Sequence, residues 1–129
     1  MAPTDEPAPL AAAQRRADWA MRLAAVLSAA EVRPFDARHW NCASFAIAAV
    51  EAVTGNKPSV KILPCLAASA DSAGFPRIVP AFARAGDIVL AGDPPRLGVV
   101  VEAGRAVFVG PKGLTHAPLT ECSIAWRIG

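Results

Sequence analysis

The chain is short of the residues from which many functional sites are built. Its three cysteines, Cys42, Cys65 and Cys122, are an odd number with no CxxC pair. That argues against a disulfide framework or a structural zinc site, and for folding in a reducing compartment. The two histidines, His39 and His116, lie far apart in sequence, so a metal site has little to draw on, and nothing implies a cofactor. Basic residues are scattered, with no run beyond Arg15-Arg16, and the net charge is only +2. Few aromatics interleave with them, which argues against nucleic acid as a partner. No run reaches the ~18 apolar residues of a membrane span. Met21 to Ala30 is apolar, but Asp5, Glu6 and Asp18 precede it and Arg22 interrupts it. It reads neither as a secretion signal nor as a membrane anchor. No internal repeat is visible.

What is present suits one compact domain. The 129 residues are 53% apolar and 19% charged, enough to build a core. Met1 to Pro9, with three prolines and two acids, reads as a loose arm (1–9) ahead of a single domain (10–129). From Leu10 to about Val32 the pattern is helical, with Trp19, Leu23, Val26, Leu27 and Ala30 on one core-facing stripe. Pro34 to Trp40 has no periodicity. Asn41 then offers a capping oxygen, and Cys42 to Thr54 runs as an apolar helix to Gly55, a suitable stop. Asn56 to Pro80 holds four prolines and a possible short helix at Cys65–Ala73, and reads as a surface excursion closing over one end of the domain.

Near Gly86 the period changes. Ile88–Leu90, Leu97–Glu102, Arg105–Val109, Leu114–Leu119 and Ser123–Ile128 are short β-rich runs separated by Gly/Pro turns, the pattern of an antiparallel meander. Helices first and strands after give an α+β domain. The Cys42 helix is expected to pack on an antiparallel sheet of four to six strands drawn from residues 86–128.

Cys42 is the candidate nucleophile. A thiol in the first turn of a helix faces unpaired backbone N–H groups and the positive end of the helix dipole, which favours the reactive thiolate. Cys65 and Cys122 read as core filler, Asp87 as a turn residue at a strand start, and Trp19 and Trp126 as core. Trp40, beside Cys42, is a candidate to line a cleft.

Loop, cap, cysteine and apolar helix are how papain-like cysteine peptidases present their nucleophile, and the chain resembles the NlpC-type branch of that group, enzymes that cut peptide cross-links in bacterial cell walls. It resembles more closely a family of small NlpC-like proteins encoded among the tail genes of phages, prophages and gene transfer agents. The matching pieces are Arg16-Ala17-Asp18-Trp19…Arg22-Leu23, Pro34-Phe35, Asn41-Cys42-Ala43-Ser44-Phe45 and Val53-Thr54-Gly55. Further on come Ala85-Gly86-Asp87-Ile88-Val89, Leu97-Gly98-Val99-Val100, Phe108 to Leu114, and Cys122…Ala125-Trp126-Arg127-Ile128-Gly129. The resemblance implies an NlpC-type papain-like fold with helices on a C-terminal antiparallel sheet.

The departures are as informative. The Asp that precedes the cysteine in the enzymes is here Asn41. The catalytic histidine's position falls on Arg96, ahead of Leu97-Gly98-Val99, and the position of its orienting partner falls near Val109. An arginine stays protonated and cannot serve as a general base. His39, three residues upstream of Cys42, and His116, two strands beyond Arg96, are possible substitutes. What the resemblance implies is therefore a pseudoenzyme: a virion component of the phage tail, at the tail tip or hub, contacting other tail proteins. It would be made in the host cytoplasm without a signal peptide and reside in the particle's tail. The alternative is an active cysteine peptidase or amidase acting on peptidoglycan peptides during DNA delivery.

Overall fold

A computed structural model describes residues 14–102 and 104–129; the expected N-terminal arm lies outside them. The elements run α1 (Trp19–Ala30), α2 (Cys42–Thr54), α3 (Leu66–Asp71), β1 (Arg77–Ile78), β2 (Ile88–Ala91), β3 (Arg96–Glu102), β4 (Arg105–Gly110), β5 (Gly113–Pro118) and β6 (Cys122–Trp126). All six strands join one sheet in the order β1-β6-β2-β3-β4-β5, each neighbour antiparallel. The α+β expectation holds, with one strand, β1, lying before residue 86.

The start and stop of α2 follow from its end residues. The Asn41 side chain accepts the Ser44 N–H at 3.0 Å while Ser44 Oγ accepts the Asn41 N–H at 2.8 Å, a reciprocal capping box. Gly55 closes the helix in the left-handed region at φ 83°, its N–H donating to the Glu51 carbonyl at 2.8 Å. Between these ends Phe45, Ala49 and Val53 have no exposed surface. Several alanines let neighbouring backbone approach. On α1, Leu23 and Ala30 are buried, whereas Trp19, Val26 and Leu27 are only half-buried against the same core.

Side-chain alternation divides the sheet into two apolar faces. Ile88, Leu90, Leu97, Val99, Val107, Val109 and Trp126 join the helices in the main core. Val89, Ala91, Val100, Ala106, Phe108 and Ala125 form a second cluster on the far face, with Leu119 and Ala83. Those last two belong to 3₁₀ turns at Leu119–Glu121 and just after Pro80–Phe82. Among the described residues no helix is long and apolar enough to cross a membrane.

Candidate functional site

Cys42 is the first residue of α2 and is half-buried, packed against the main core. The loop before it is a closed unit. Asp36 and Trp40 exchange both backbone hydrogen bonds at 2.8 Å, and Asp36 Oδ1 accepts the N–H groups of Arg38 and His39 at 2.9 and 3.2 Å. Those two N–H donors hold the Asp36 carboxyl below the usual carboxylate range. Asn41 Nδ2 donates to the Ala37 carbonyl at 3.1 Å, tying the loop to the cap.

This geometry turns His39 outward. Its Nδ1 lies 3.5 Å from Asp36 Oδ2, with 72% of the side chain exposed. His116 lies on the edge strand β5, opposite Val107, and its Nδ1 meets Arg105 Nη1 at 2.6 Å. Among the described residues neither histidine hydrogen-bonds the Cys42 thiol.

Arg96 is not opposite Cys42. Its guanidinium carbon lies 5.0 Å from the centroid of the Phe108 ring, and Phe108 belongs to the far face of the sheet. The reason is alternation: Arg96, Gly98 and Val100 point one way, Leu97 and Val99 the other. The side chain that β3 presents toward α2 at this level is Leu97, which lines an apolar cavity flanked by Ala43. Val109 is buried on the α2 side, so that position is apolar and on the expected face.

Three other expectations, those for Trp40, Cys65 and Asp87, need correction. Trp40 does not line a cleft; it is 92% buried, packed in a tilted arrangement against Phe45 at a centroid distance of 5.7 Å, with the Arg33 guanidinium 4.3 Å from its ring centre. Cys65 is exposed rather than core filler, and its sulfur caps α3 by accepting the Ala68 N–H at 3.4 Å. Cys122, by contrast, is half-buried and packs against the far-face cluster, in keeping with a filling role; burial first, and the Glu121 charge second, push its thiol pKa up. Asp87 is a fully buried carboxylate. Arg15 Nη2 donates to its Oδ1 at 3.0 Å, and the Ile128 and Arg84 N–H groups donate at 2.9 and 3.0 Å. Arg15 also donates to the Ile128 and Ala85 carbonyls, so this pair fastens three distant segments. A buried ion pair separated by 72 residues leaves no local pattern in a sequence. The one hint is that Arg15 precedes the α1 stripe without belonging to it.

These helices and strands fall within one recognisable family. The chain belongs to the DUF6950 family. That family's model, described as a domain of unknown function, matches residues 14–64 and 61–128. The first segment carries α1, α2 and the Cys42 loop; the second carries α3 and the whole sheet. No curated protein matches the chain.

Among the described residues no cluster of three or more His, Cys, Asp or Glu side chains is positioned to hold a metal ion. What the Cys42 region offers chemically is a half-buried thiol at a capped helix start, bordered by apolar side chains.

Proposed function

We propose that the protein is a structural component of a phage-type tail, at the tip or hub, built on a degenerate NlpC-like cysteine peptidase fold. The observation that carries the reading is the set of groups around Cys42. The thiol has the helix-start position of a papain-like nucleophile, but among the described residues it has no base. Arg96 is stacked on Phe108, His39 faces Asp36, His116 faces Arg105, and Val109 is apolar. Acyl transfer by a thiol needs a partner that moves a proton, and without one most of the acceleration is lost, commonly several orders of magnitude. Docking on other tail proteins is supported by exposed apolar side chains: Val32 and Phe35 lead into the Cys42 loop, and Val79 and Phe82 follow β1.

The test incubates purified protein with muropeptides, beside a Cys42→Ala form, and separately probes purified particles for the chain. Expected are no hydrolysis by either form and stoichiometric presence in the tail. Thiol labelling at neutral pH sharpens the result, because the exposed Cys65 competes for any probe. Peptide mapping is expected to find Cys65 modified before Cys42, and Cys122 last. Cys42-dependent cleavage of muropeptides would make the protein an active cysteine peptidase instead.

A further inference from the structure

Between α2, α3 and the sheet lies an apolar cavity of about 420 Å³. One wall is the α2 stripe Ala43, Ala46, Ile47 and Val50, spaced as one helix face. The floor is sheet, with Leu97 and Trp126, and the roof is the extended segment carrying Pro58, Val60 and Ile62. Protein interiors leave few voids larger than a water molecule, whereas ligand pockets begin at roughly 300 Å³. The size of this space is that of a site.

The lining selects the chemistry of the occupant. Its two polar side-chain groups are already engaged: Ser69 Oγ accepts the Leu63 N–H at 2.8 Å, and Trp126 Nε1–H donates to Asp71 Oδ1 at 2.8 Å. A peptide backbone inserted here would leave its N–H and C=O groups unpaired, at a cost of about 1–3 kcal/mol each. An alkyl chain carries no such groups. A methylene occupies about the volume of a water molecule, roughly 30 Å³, so the cavity accommodates on the order of a dozen carbons.

The rim selects the charge. Lysines are rare in this chain, at positions 57, 61 and 112. Two of them, Lys57 and Lys61, neighbour the roof residues in the chain; both are exposed and stand outside the cavity lining itself. Ile62 beside them is 92% exposed, an apolar side chain at the rim that water alone does not explain. The roof is pinned to α3 through hydroxyls, the Lys61 N–H donating to Ser72 Oγ at 2.8 Å and the Leu63 N–H to Ser69 Oγ. Such contacts can open and re-form without unfolding a strand.

We propose that this cavity binds the alkyl chain of a free single-chain anionic amphiphile, a fatty carboxylate of about twelve carbons, with its head at Lys57 and Lys61. The experiment is calorimetric titration of the full chain with sodium dodecanoate, octanoate, dodecanol and dodecyltrimethylammonium, all below their micelle-forming concentrations. Dodecanoate is expected to saturate at one per chain. Octanoate should bind on the order of a hundredfold more weakly, since each buried methylene is worth roughly three- to fourfold. Dodecyltrimethylammonium should be weaker by about tenfold, because its cationic head carries the same sign as the two exposed ammonium groups. Lys57→Glu/Lys61→Glu should lose affinity for dodecanoate while keeping that for dodecanol.

Ala70→Phe, on the half-exposed α3 and pointing into the cavity, should abolish binding with an unchanged or raised melting temperature. If that variant is unstable, Ala70→Leu serves the same purpose with less added bulk. Absence of saturable dodecanoate binding, or undiminished binding by a folded cavity-filled variant, would overturn the proposal. So would flotation with phosphatidylglycerol vesicles in the absence of dodecanoate binding, which would assign the surface to a membrane.

Discussion

Asp87 is a carboxyl group with no exposed surface, and the groups around it explain how that is tolerated. Arg15 and two backbone N–H groups donate to it, and Arg127 Nε lies 3.5 Å from Oδ2. Desolvation pulls the Arg15 pKa down from its usual value and the Asp87 charge opposes that; arginine stays protonated regardless. Arg15→Met should lower stability by about 3–5 kcal/mol, because it strands a buried carboxylate rather than removing a pair. Urea unfolding measures this, and a loss under 1 kcal/mol would show the carboxylate finding other partners. A second carboxylate, Asp71, is exposed and accepts two hydrogen bonds from Arg77, at 2.9 and 2.7 Å, and one from Trp126. Arg77 first, and Trp126 as a lesser contributor, hold its pKa below the ordinary value. A depressed native pKa stabilises the fold above the unfolded value, about 4, and that contribution disappears as pH falls through the native one. Asp71→Asn should therefore flatten the acid limb of a stability–pH curve and leave its neutral-pH shape unchanged.

At the scale of elements, β3 and β4 are locked together by what β3 omits. A Cβ at Gly98 would lie 2.5 Å from a Phe108 ring carbon and 2.7 Å from the Val107 carbonyl oxygen. Gly98→Ala is expected to cost about 1–3 kcal/mol by overpacking. Adding Phe108→Leu should recover part of that, and thermal melts of the single and double variants decide it. The same strand shows why one element was legible and its orientation was not. The helix Cys42–Thr54 could be read to the residue because Asn41 and Gly55 are strong local signals. The run Leu97–Val101 could be read as a strand, but both of its faces are apolar, so alternation did not reveal which one meets α2. Arg96, at the position of the family's histidine, lies behind the sheet rather than facing Cys42. Strand β1 leaves no signal in the sequence because two residues, Arg77 and Ile78, carry no period at all; their strand character comes from pairing with β6. The surroundings of Cys65 and Trp40 are not legible in sequence for a related reason. Burial is set by the path of the loops that carry them, and loop paths follow contacts between distant residues.

For the molecule as a whole, Trp126 joins the layers. It is buried in the core, hydrogen-bonded to Asp71 on α3 and paired with both Arg77 and Ile88 across the sheet. Trp126→Ala should reduce stability by about 3–5 kcal/mol, a large share of the 5–15 kcal/mol usual for a domain. An unchanged melting temperature would show that β6 contributes little to the core.

The position of β6 within the sheet bears on how the protein is made. Residues 122–126 slot between β1 and β2, so the sheet is closed by the strand that leaves the ribosome after all the others. Until then β2 offers an open hydrogen-bonding edge, and the helices lack part of their floor. Nascent chains held at Pro118 should behave as sticky, protease-sensitive intermediates that recruit chaperones, and release of the next ten residues should convert them at once to a resistant form.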